Sequence, residues 1–250
     1  MSIRAVIFDL DGTLVQTEQF KFDSFSRAVR ELGPQELDET ELMEAYKQLV
    51  GLPRKQVALG LLQRFGLAGR AQARAAEFGV SAGWEVVIKI RHLRYSQLLA
   101  DANALRAQAC PQAITLVAEV HRLGCKTGLA TMSTRQELVQ VLQALDLAAA
   151  FDSCACQDDI VNGKPDPEIY LRVAGELNTP PQEILVIEDS ASGIQAALAA
   201  GMRCIAVPTA FTHQTVHSAR LLDERWIVDD PQALSQVVLQ LIRIEAENHS

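Results

Sequence analysis

The sequence predicts an α/β protein: a parallel sheet covered on both faces by helices, built from two pieces of chain around an inserted helical domain. Three observations lead there. Short apolar runs lack polar alternation, as strands buried on both sides do. These runs alternate with helical stretches of ten or so residues, the mark of a parallel sheet with helical crossovers. A helix-forming block of about eighty residues also separates the first run from the rest, too long for a simple crossover.

The elements follow in order. Arg4 to Phe8 reads as a strand closed by a turn at Gly12. From Thr17 to about Leu32, Phe20, Phe22, Phe25, Ala28, Val29 and Leu32 keep helical spacing, ended by Gly33-Pro34. The stretch to about Leu99 is rich in Glu, Leu, Gln, Ala and Arg, punctuated by Gly51-Leu52-Pro53 and by Gly66 to Gly69. After Pro111 the rhythm changes. A helix over Gln112–Leu123 precedes a strand over Cys125–Ala130, and a helix over Thr134–Leu145 precedes a strand over Phe151–Ala155. A helix over Pro167–Leu177 leads to the strand Ile184–Ile187, a helix over Ser192–Ala200 to the strand Cys204–Val207, and a last helix covers about Ala233–Glu245. The expected division is residues 1–15 with 100–250 for the sheet domain and 16–99 for the helical insertion.

At 250 residues, with 48% hydrophobic and 22% charged residues, the composition is that of an ordinary globular protein. A net charge of −8 argues against nucleic-acid binding, which needs basic stripes. It leaves anionic substrates open where a site is locally positive. The start of the chain lacks signal-peptide features, and the five cysteines are odd in number and scattered, so a reduced cytoplasmic compartment is expected. Cys154 and Cys156 are alternate residues that would share one face of a strand. They are read as core thiols, since no second Cys/His pair lies nearby. No apolar stretch approaches the length of a membrane span.

In open parallel sheets, ligands bind beyond the carboxyl ends of the strands. Asp9, Asp11, Gly12 and Thr13 follow the first strand; Thr131 and Ser133 follow the second. Gly163-Lys164-Pro165-Asp166-Pro167 lies in the loop beyond the third, and Glu188, Asp189 and Ser190 follow the fourth. Two carboxylates at one strand end repel unless something positive lies between them. Mg²⁺ fits, because it takes oxygen ligands and one or two carboxylates plus substrate phosphate. Asp9 and Asp189 would supply the carboxylates, with Glu188 as a direct or water-mediated ligand. Asp9 and Asp11 point to the same side, so one can be the nucleophile and the other the general acid/base. Gly12 permits a sharp turn whose amides approach phosphate oxygens, while Lys164 neutralises charge and Thr131 donates a hydrogen bond. Thr13 and Ser133 join Gly12 as candidate substrate contacts.

Each piece has a plainer reading. Asp-x-Asp-Gly-Thr can be a strand-to-turn cap, Thr131 a helix cap with Ser133 or Thr134 as better ones, Lys164 a solvated loop charge, and Glu188-Asp189-Ser190 a helix cap. A calcium loop fails, because its sixth and twelfth positions hold Leu14 and Phe20 instead of Gly and Glu. It is the order, each group at a strand end, that points to a site.

The ordered set resembles the haloacid dehalogenase superfamily, in its subgroup of phosphatases and β-phosphoglucomutase-like enzymes with a helical cap. The motifs stand here as Phe8-Asp9-Leu10-Asp11-Gly12-Thr13-Leu14, Leu129-Ala130-Thr131, Asn162-Gly163-Lys164-Pro165-Asp166-Pro167-Glu168-Ile169-Tyr170, and Val186-Ile187-Glu188-Asp189-Ser190-Ala191-Ser192-Gly193-Ile194. The resemblance implies a Rossmann-like sheet of strand order 3-2-1-4-5 with Mg²⁺ at the strand ends. It implies that Asp9 forms an aspartyl-phosphate. Asp11 would protonate the leaving group, activate water and lend its carbonyl to Mg²⁺. Thr131 and Lys164 would hold phosphoryl oxygens, and Glu188 and Asp189 would complete the metal site. Asp11 further favours phosphoryl transfer over carbon–chlorine or carbon–phosphorus cleavage.

In the cap, Gly51-Leu52-Pro53-Arg54 resembles the segment whose arginine grips a distal phosphate in β-phosphoglucomutases, and Arg91 falls where those enzymes tend to have lysine. Gln16 replaces a usual aspartate and Lys21 a histidine, departures that disfavour a mutase. Lys21, Arg54 and Arg91 are candidate substrate contacts; the plainer reading of Arg54, Lys55 and Arg91 is a solvated helix surface. The function expected is Mg²⁺-dependent hydrolysis of a small phosphorylated metabolite, a sugar phosphate or phosphoglycolate-like acid, by a monomer or homodimer. The alternatives are a phosphomutase, a phospho-accepting signalling module, disfavoured by the place of its acids and by the cap, and an idle binding protein.

Overall fold

The computed structural model describes residues 2–33, 37–49 and 52–247, so Pro34 and Gly51 lie outside the described residues. In chain order, β1 (Ala5–Phe8) is followed by α1 (Glu18–Leu32), α2 (Glu39–Lys47), α3 (Arg54–Arg64), α4 (Ala68–Ala73), α5 (Gly83–Leu99), α6 (Ala102–Ala107) and α7 (Pro111–Arg122). Then come β2 (Lys126–Ala130), α8 (Arg135–Ala144), β3 (Ser153–Ala155), α9 (Glu168–Glu176), β4 (Ile184–Glu188), α10 (Ala191–Ala199), β5 (Arg203–Ala206), α11 (His213–Ala219) and α12 (Leu234–Glu247). The chain divides into two compact units, 1–16 with 102–250, and 17–101. No described helix is long and apolar enough to cross a membrane.

The first unit is a five-stranded parallel sheet of order β3-β2-β1-β4-β5, as expected. β1 is its centre because every side chain of Ala5-Val6-Ile7-Phe8 is fully buried, leaving no face to solvent. Phe8 is in register with Leu129 on one side and Ile187 on the other, so three strands end at the same edge. Gly128 in β2 allows α9 close approach: a Cβ there would stand 2.6 Å from Val173 Cγ1. Pro111 occupies the first turn of α7, where its missing N–H is no loss. Thr134 caps α8 and Glu137 reaches back to the Thr134 N–H at 2.8 Å, a reciprocal capping box.

Two elements differ from expectation. The third strand covers only Ser153–Ala155; at Asp152 the N–H still donates to the Thr127 carbonyl at 2.8 Å, but the Thr127 N–H is taken by the Asp152 carboxylate at 2.7 Å instead of by a backbone carbonyl. Cys156 therefore lies beyond the strand, where its thiol meets the Asp159 carboxylate at 3.2 Å, instead of sharing a strand face with Cys154. Helix α10 starts at Ala191, one residue before the expected Ser192, because Ser190 is its cap, accepting the Gly193 N–H at 3.1 Å.

The second unit is wholly helical in its regular elements, α1 to α5. Phe22 and Phe25 of α1 pack against Tyr46 of α2, with ring centroids 5.6 and 5.8 Å apart. The Glu85 carboxylate holds the start of α5 by accepting the Ala82 N–H at 2.8 Å.

Candidate active site

The site is built at the carboxyl edge of the first unit's sheet. After β1, the Leu14 and Val15 N–H groups both donate to the Leu10 carbonyl, at 2.9 and 3.1 Å, curling the chain into a tight turn. Gly12 sits in that turn at φ 96°, where side chains are strained. A Cβ on it would also stand 2.3 Å from Asp189 Oδ2, so this glycine lets the carboxylates after β1 and β4 come together.

The two aspartates of the turn have separate partners. Asp9 accepts Lys164 Nζ at 2.7 Å. Asp11 accepts the Ser133 hydroxyl at 2.6 Å and the Thr131 hydroxyl at 3.2 Å, both on Oδ2. The Ser133 N–H donates to Thr131 Oγ1 at 3.0 Å, locking the pair. Thr131 therefore orients Asp11 in this arrangement, in addition to its expected place beside a phosphoryl group, and α8 is capped by Thr134. Thr13 is buried, and its hydroxyl has no hydrogen-bond partner among the described residues.

Lys164 is no solvated loop charge. Its side chain is 4% exposed, and Nζ donates to Asp9, to Glu188 Oε1 at 2.6 Å and to the Ala130 carbonyl at 3.2 Å. Burial opposes its charge, but Asp9 and Glu188 outweigh burial and hold the ammonium well above its usual pKa. Glu188 is saturated. Oε1 takes Lys164 and the Tyr170 hydroxyl at 3.0 Å; Oε2 takes the Asp189 N–H, the Ser190 N–H and the Ser190 hydroxyl, each at 2.9 Å. Although burial raises its pKa, Lys164 and the Ser190 donors bring it below the usual carboxylate range. Both oxygens of Glu188, one of the four expected metal ligands, are thus engaged by protein donors. It serves here as the anchor of Lys164. A Cβ on Gly193 would fall 1.7 Å from Glu188 Oε1, so the first turn of α10 has room for this carboxylate only because residue 193 is glycine.

Burial pushes the Asp9 carboxyl up to about 8; Lys164 works against that rise, while Glu188 and Asp11 add to it. Asp9, Asp11, Glu188 and Asp189 are four acids served by the Lys164 ammonium. That surplus of negative charge, in a hard oxygen donor set with Asp189 lying over the bare backbone of Gly12, fits a divalent cation such as Mg²⁺.

The expected cap residues lie in the second unit. Arg91 is buried, its guanidinium 4.1 Å from the Tyr95 ring centroid and 5.6 Å from that of Phe25, so the expectation of a solvated helix surface fails for it. Burial pushes the Tyr46 hydroxyl up to about 12, while the charges of Lys21 and Arg91 pull it down and that of Glu18 adds to the rise. Arg54 opens α3 and is exposed, so the plainer surface reading fits it best.

Sequence reasoning left Tyr170 and Thr212 without roles. Thr212 donates its hydroxyl to Asp189 Oδ2 at 3.2 Å and is tied to Thr209 by the Thr209 N–H at 2.9 Å. Both threonines follow β5, whose end obeys the same ligand-edge rule as the other four strands. That rule, carried one strand further, was the available signal.

The model of the haloacid dehalogenase-like hydrolase family matches residues 3–201. The chain is 30% identical over 203 residues to the phosphorylated carbohydrates phosphatase of Thermotoga maritima, covering 81% of this chain and 84% of that protein. It is similar to the crystal structure of CbbY from Rhodobacter sphaeroides in complex with phosphate, at 25% identity and TM-score 0.60, over 84% of this chain and 88% of that one. It shares its fold with β-phosphoglucomutase from Clostridium difficile, at 24% identity and TM-score 0.69, over 96% and 97% of the two chains.

Proposed function

The chain belongs to the haloacid dehalogenase-like hydrolase family, and from that premise we propose that it is a phosphatase of a small phosphorylated metabolite, a sugar phosphate or phosphoglycolate-like acid, working through an aspartyl-phosphate on Asp9. The observation that carries this reading is the division of partners between two neighbouring acids. Lys164 serves Asp9 at 2.7 Å, and two hydroxyls serve Asp11 at 2.6 and 3.2 Å. A nucleophile needs its charge kept, and an acid/base needs its proton path aimed; these are different environments.

In the first half-reaction an Asp9 carboxylate oxygen bonds to phosphorus as the phosphorus–oxygen bond to the substrate breaks. Asp11 gives its proton to the departing alkoxide. In the second, Asp11 takes a proton from water, whose oxygen attacks phosphorus and frees Asp9 with release of phosphate. Lys164 balances the phosphoryl charge throughout, and Glu188 and Tyr170 hold it in place. Mg²⁺, held by the carboxylates of Asp9 and Asp189 and the carbonyl of Asp11, would keep Asp9 ionised against burial and offset the charge of the phosphoryl oxygens. Substrate choice is assigned to the 17–101 unit, with Lys21 and Arg91 as its candidate cations. A cytoplasmic setting agrees with this metabolic role.

Phosphate release from a panel of phosphorylated metabolites, with and without Mg²⁺ and with Asp9→Asn as blank, tests the reading. Release that needs both Mg²⁺ and Asp9 supports it. Conversion of β-glucose 1-phosphate to the 6-phosphate without release would make the enzyme a phosphomutase instead, and no turnover of either kind would overturn the proposal.

A further inference from the structure

Just beyond the loop after β5, two imidazoles and a carboxylate converge. His213 and His217 stand four residues apart on α11, so they share one helical face, with ring centroids 4.4 Å apart. Asp229 arrives from a different part of the chain. It follows Val228, whose N–H donates to the Ala206 carbonyl of β5 at 2.8 Å, and Ile227 forms a parallel bridge to the same residue. One ligand is therefore fixed by the sheet and two by a helix.

The distances suit a metal. Asp229 Oδ1 lies 2.9 Å from His217 Nε2 and 3.5 Å from His213 Nε2, and one ligand atom from each residue falls within 4.8 Å of the others. Zinc bonds to nitrogen and oxygen of about 2.0–2.2 Å, set at tetrahedral angles, separate neighbouring ligand atoms by about 3.4 Å. The 3.5 Å pair is already close to that spacing, and the 2.9 Å pair is about 0.5 Å short of it. All three are accessible, with side-chain exposures of 57%, 34% and 50% for His213, His217 and Asp229, so water can complete the coordination.

We propose that His213, His217 and Asp229 bind a divalent transition-metal ion of the zinc class, at a site separate from the one that serves phosphoryl transfer. The donor sets differ in kind. Two imidazoles with one carboxylate select Zn²⁺ and its neighbours over Mg²⁺, whereas the carboxylates around Asp9 and Asp189 are hard oxygen donors. The bound ion would tie α11 to the 227–229 segment. The helix it fixes begins next to Thr212, the residue whose hydroxyl donates to Asp189 at 3.2 Å. The ion is thus a clamp on the turn that holds one of the catalytic carboxylates, and it takes no part in the chemistry.

The test is calorimetric titration of Zn²⁺ into the tag-free full chain, with excess Mg²⁺ present to occupy the carboxylate site. One equivalent is expected to bind, with affinity falling at least about tenfold in His213→Ala and in His217→Ala and by far less in Asp189→Asn. Zn²⁺ should also raise the melting temperature of the wild type and of Asp189→Asn but not of His217→Ala. His217→Gln, which keeps a hydrogen-bonding side chain, repeats the comparison should the alanine variant unfold. Equal binding in the wild type and both histidine variants would assign the ion to the thiols or the carboxylate site and overturn the proposal, as would the lack of any saturable equivalent.

Discussion

Burial raises the pKa of both Asp9 and Cys154, and what separates them is the partner each one meets. Asp9 is buried beside Lys164, so its charge has a partner, and replacing it by asparagine keeps the shape while removing the nucleophile. Asp9→Asn should lower phosphate release by about 10⁴-fold or more and leave the fold intact, as read by an initial-rate assay beside a thermal melt. A variant keeping a tenth of wild-type turnover would show that Asp9 is not the nucleophile. At Cys154 the opposing charge is Arg135, which burial outweighs. Burial pushes its thiol from 9.0 up to about 11, with Arg135 pulling down and Glu176 and Cys156 adding to the rise. Two pKa units mean about 100-fold less thiolate near pH 8, so carboxamidomethylation of Cys154 in the native protein should run about 100-fold slower than in the urea-unfolded chain. The linkage has a definite sign. A folded-state pKa above the unfolded one gives stability that is whole below pH 9 and disappears as pH rises through about 11. Rapid labelling of Cys154 at pH 8, measured by peptide mass spectrometry, would contradict the raised pKa of this half-buried thiol.

Among the elements, α8 and α10 start with the same kind of cap and differ in what the cap protects. The Thr134–Glu137 box of α8 satisfies backbone groups, so Thr134→Ala should cost about 1 kcal/mol in urea unfolding and disturb turnover less than stability. The first turn of α10 encloses Glu188, the anchor of Lys164. Gly193→Ala would place a methyl 1.7 Å from Glu188 Oε1, which forces the carboxylate out and takes Lys164 with it. That variant should lose activity by at least about 10²-fold, the scale of losing one electrostatic stabiliser, on top of its stability loss. Comparable turnover in the two variants, once corrected for folded fraction, would sink the argument. Helix α10 also shows what the sequence could and could not reveal. The strands were legible because Ala5–Phe8 and Ile184–Ile187 are apolar without interruption, and the site was legible because its acids stand at strand ends. The saturation of Glu188 was not, since it depends on Tyr170, Lys164 and two amides meeting in space. Nor was α11, seven residues with Val216 alone buried, too short for a periodic apolar face. Arg91 misled because an arginine on a helix is normally solvated, whereas here the rings of Tyr95 and Phe25 cover it.

At the scale of the whole molecule, the sheet unit is assembled from two distant pieces of chain, and the way they are joined makes a prediction. The piece ending at Gln16 leaves beside the piece that returns. Val15 bridges Ala109 in antiparallel fashion, the Gln16 N–H donates to the Gln108 carbonyl at 2.8 Å, and the Cys110 N–H donates to the Leu14 carbonyl at 2.9 Å. The helix that precedes this zipper, α6, carries the fully buried Leu105 and belongs to the same unit. The sheet unit therefore closes on itself where the 17–101 insertion departs, and its core does not wait for the inserted residues to complete a strand. Joining Gln16 to Ala102 through a flexible linker of about ten residues spans some 17 Å on average, enough to return the chain to α6 without straining the zipper. Such a chain should unfold in one cooperative transition and keep Mg²⁺-dependent hydrolysis of a small activated aryl phosphate, abolished by Asp9→Asn. Its preference among sugar phosphates should collapse toward uniformity, because the groups assigned to selection have been removed. Retained selectivity would move substrate choice into the sheet unit itself, to residues such as Thr13 and Ser133. A chain that no longer melts cooperatively would show that the insertion is part of the core's stability.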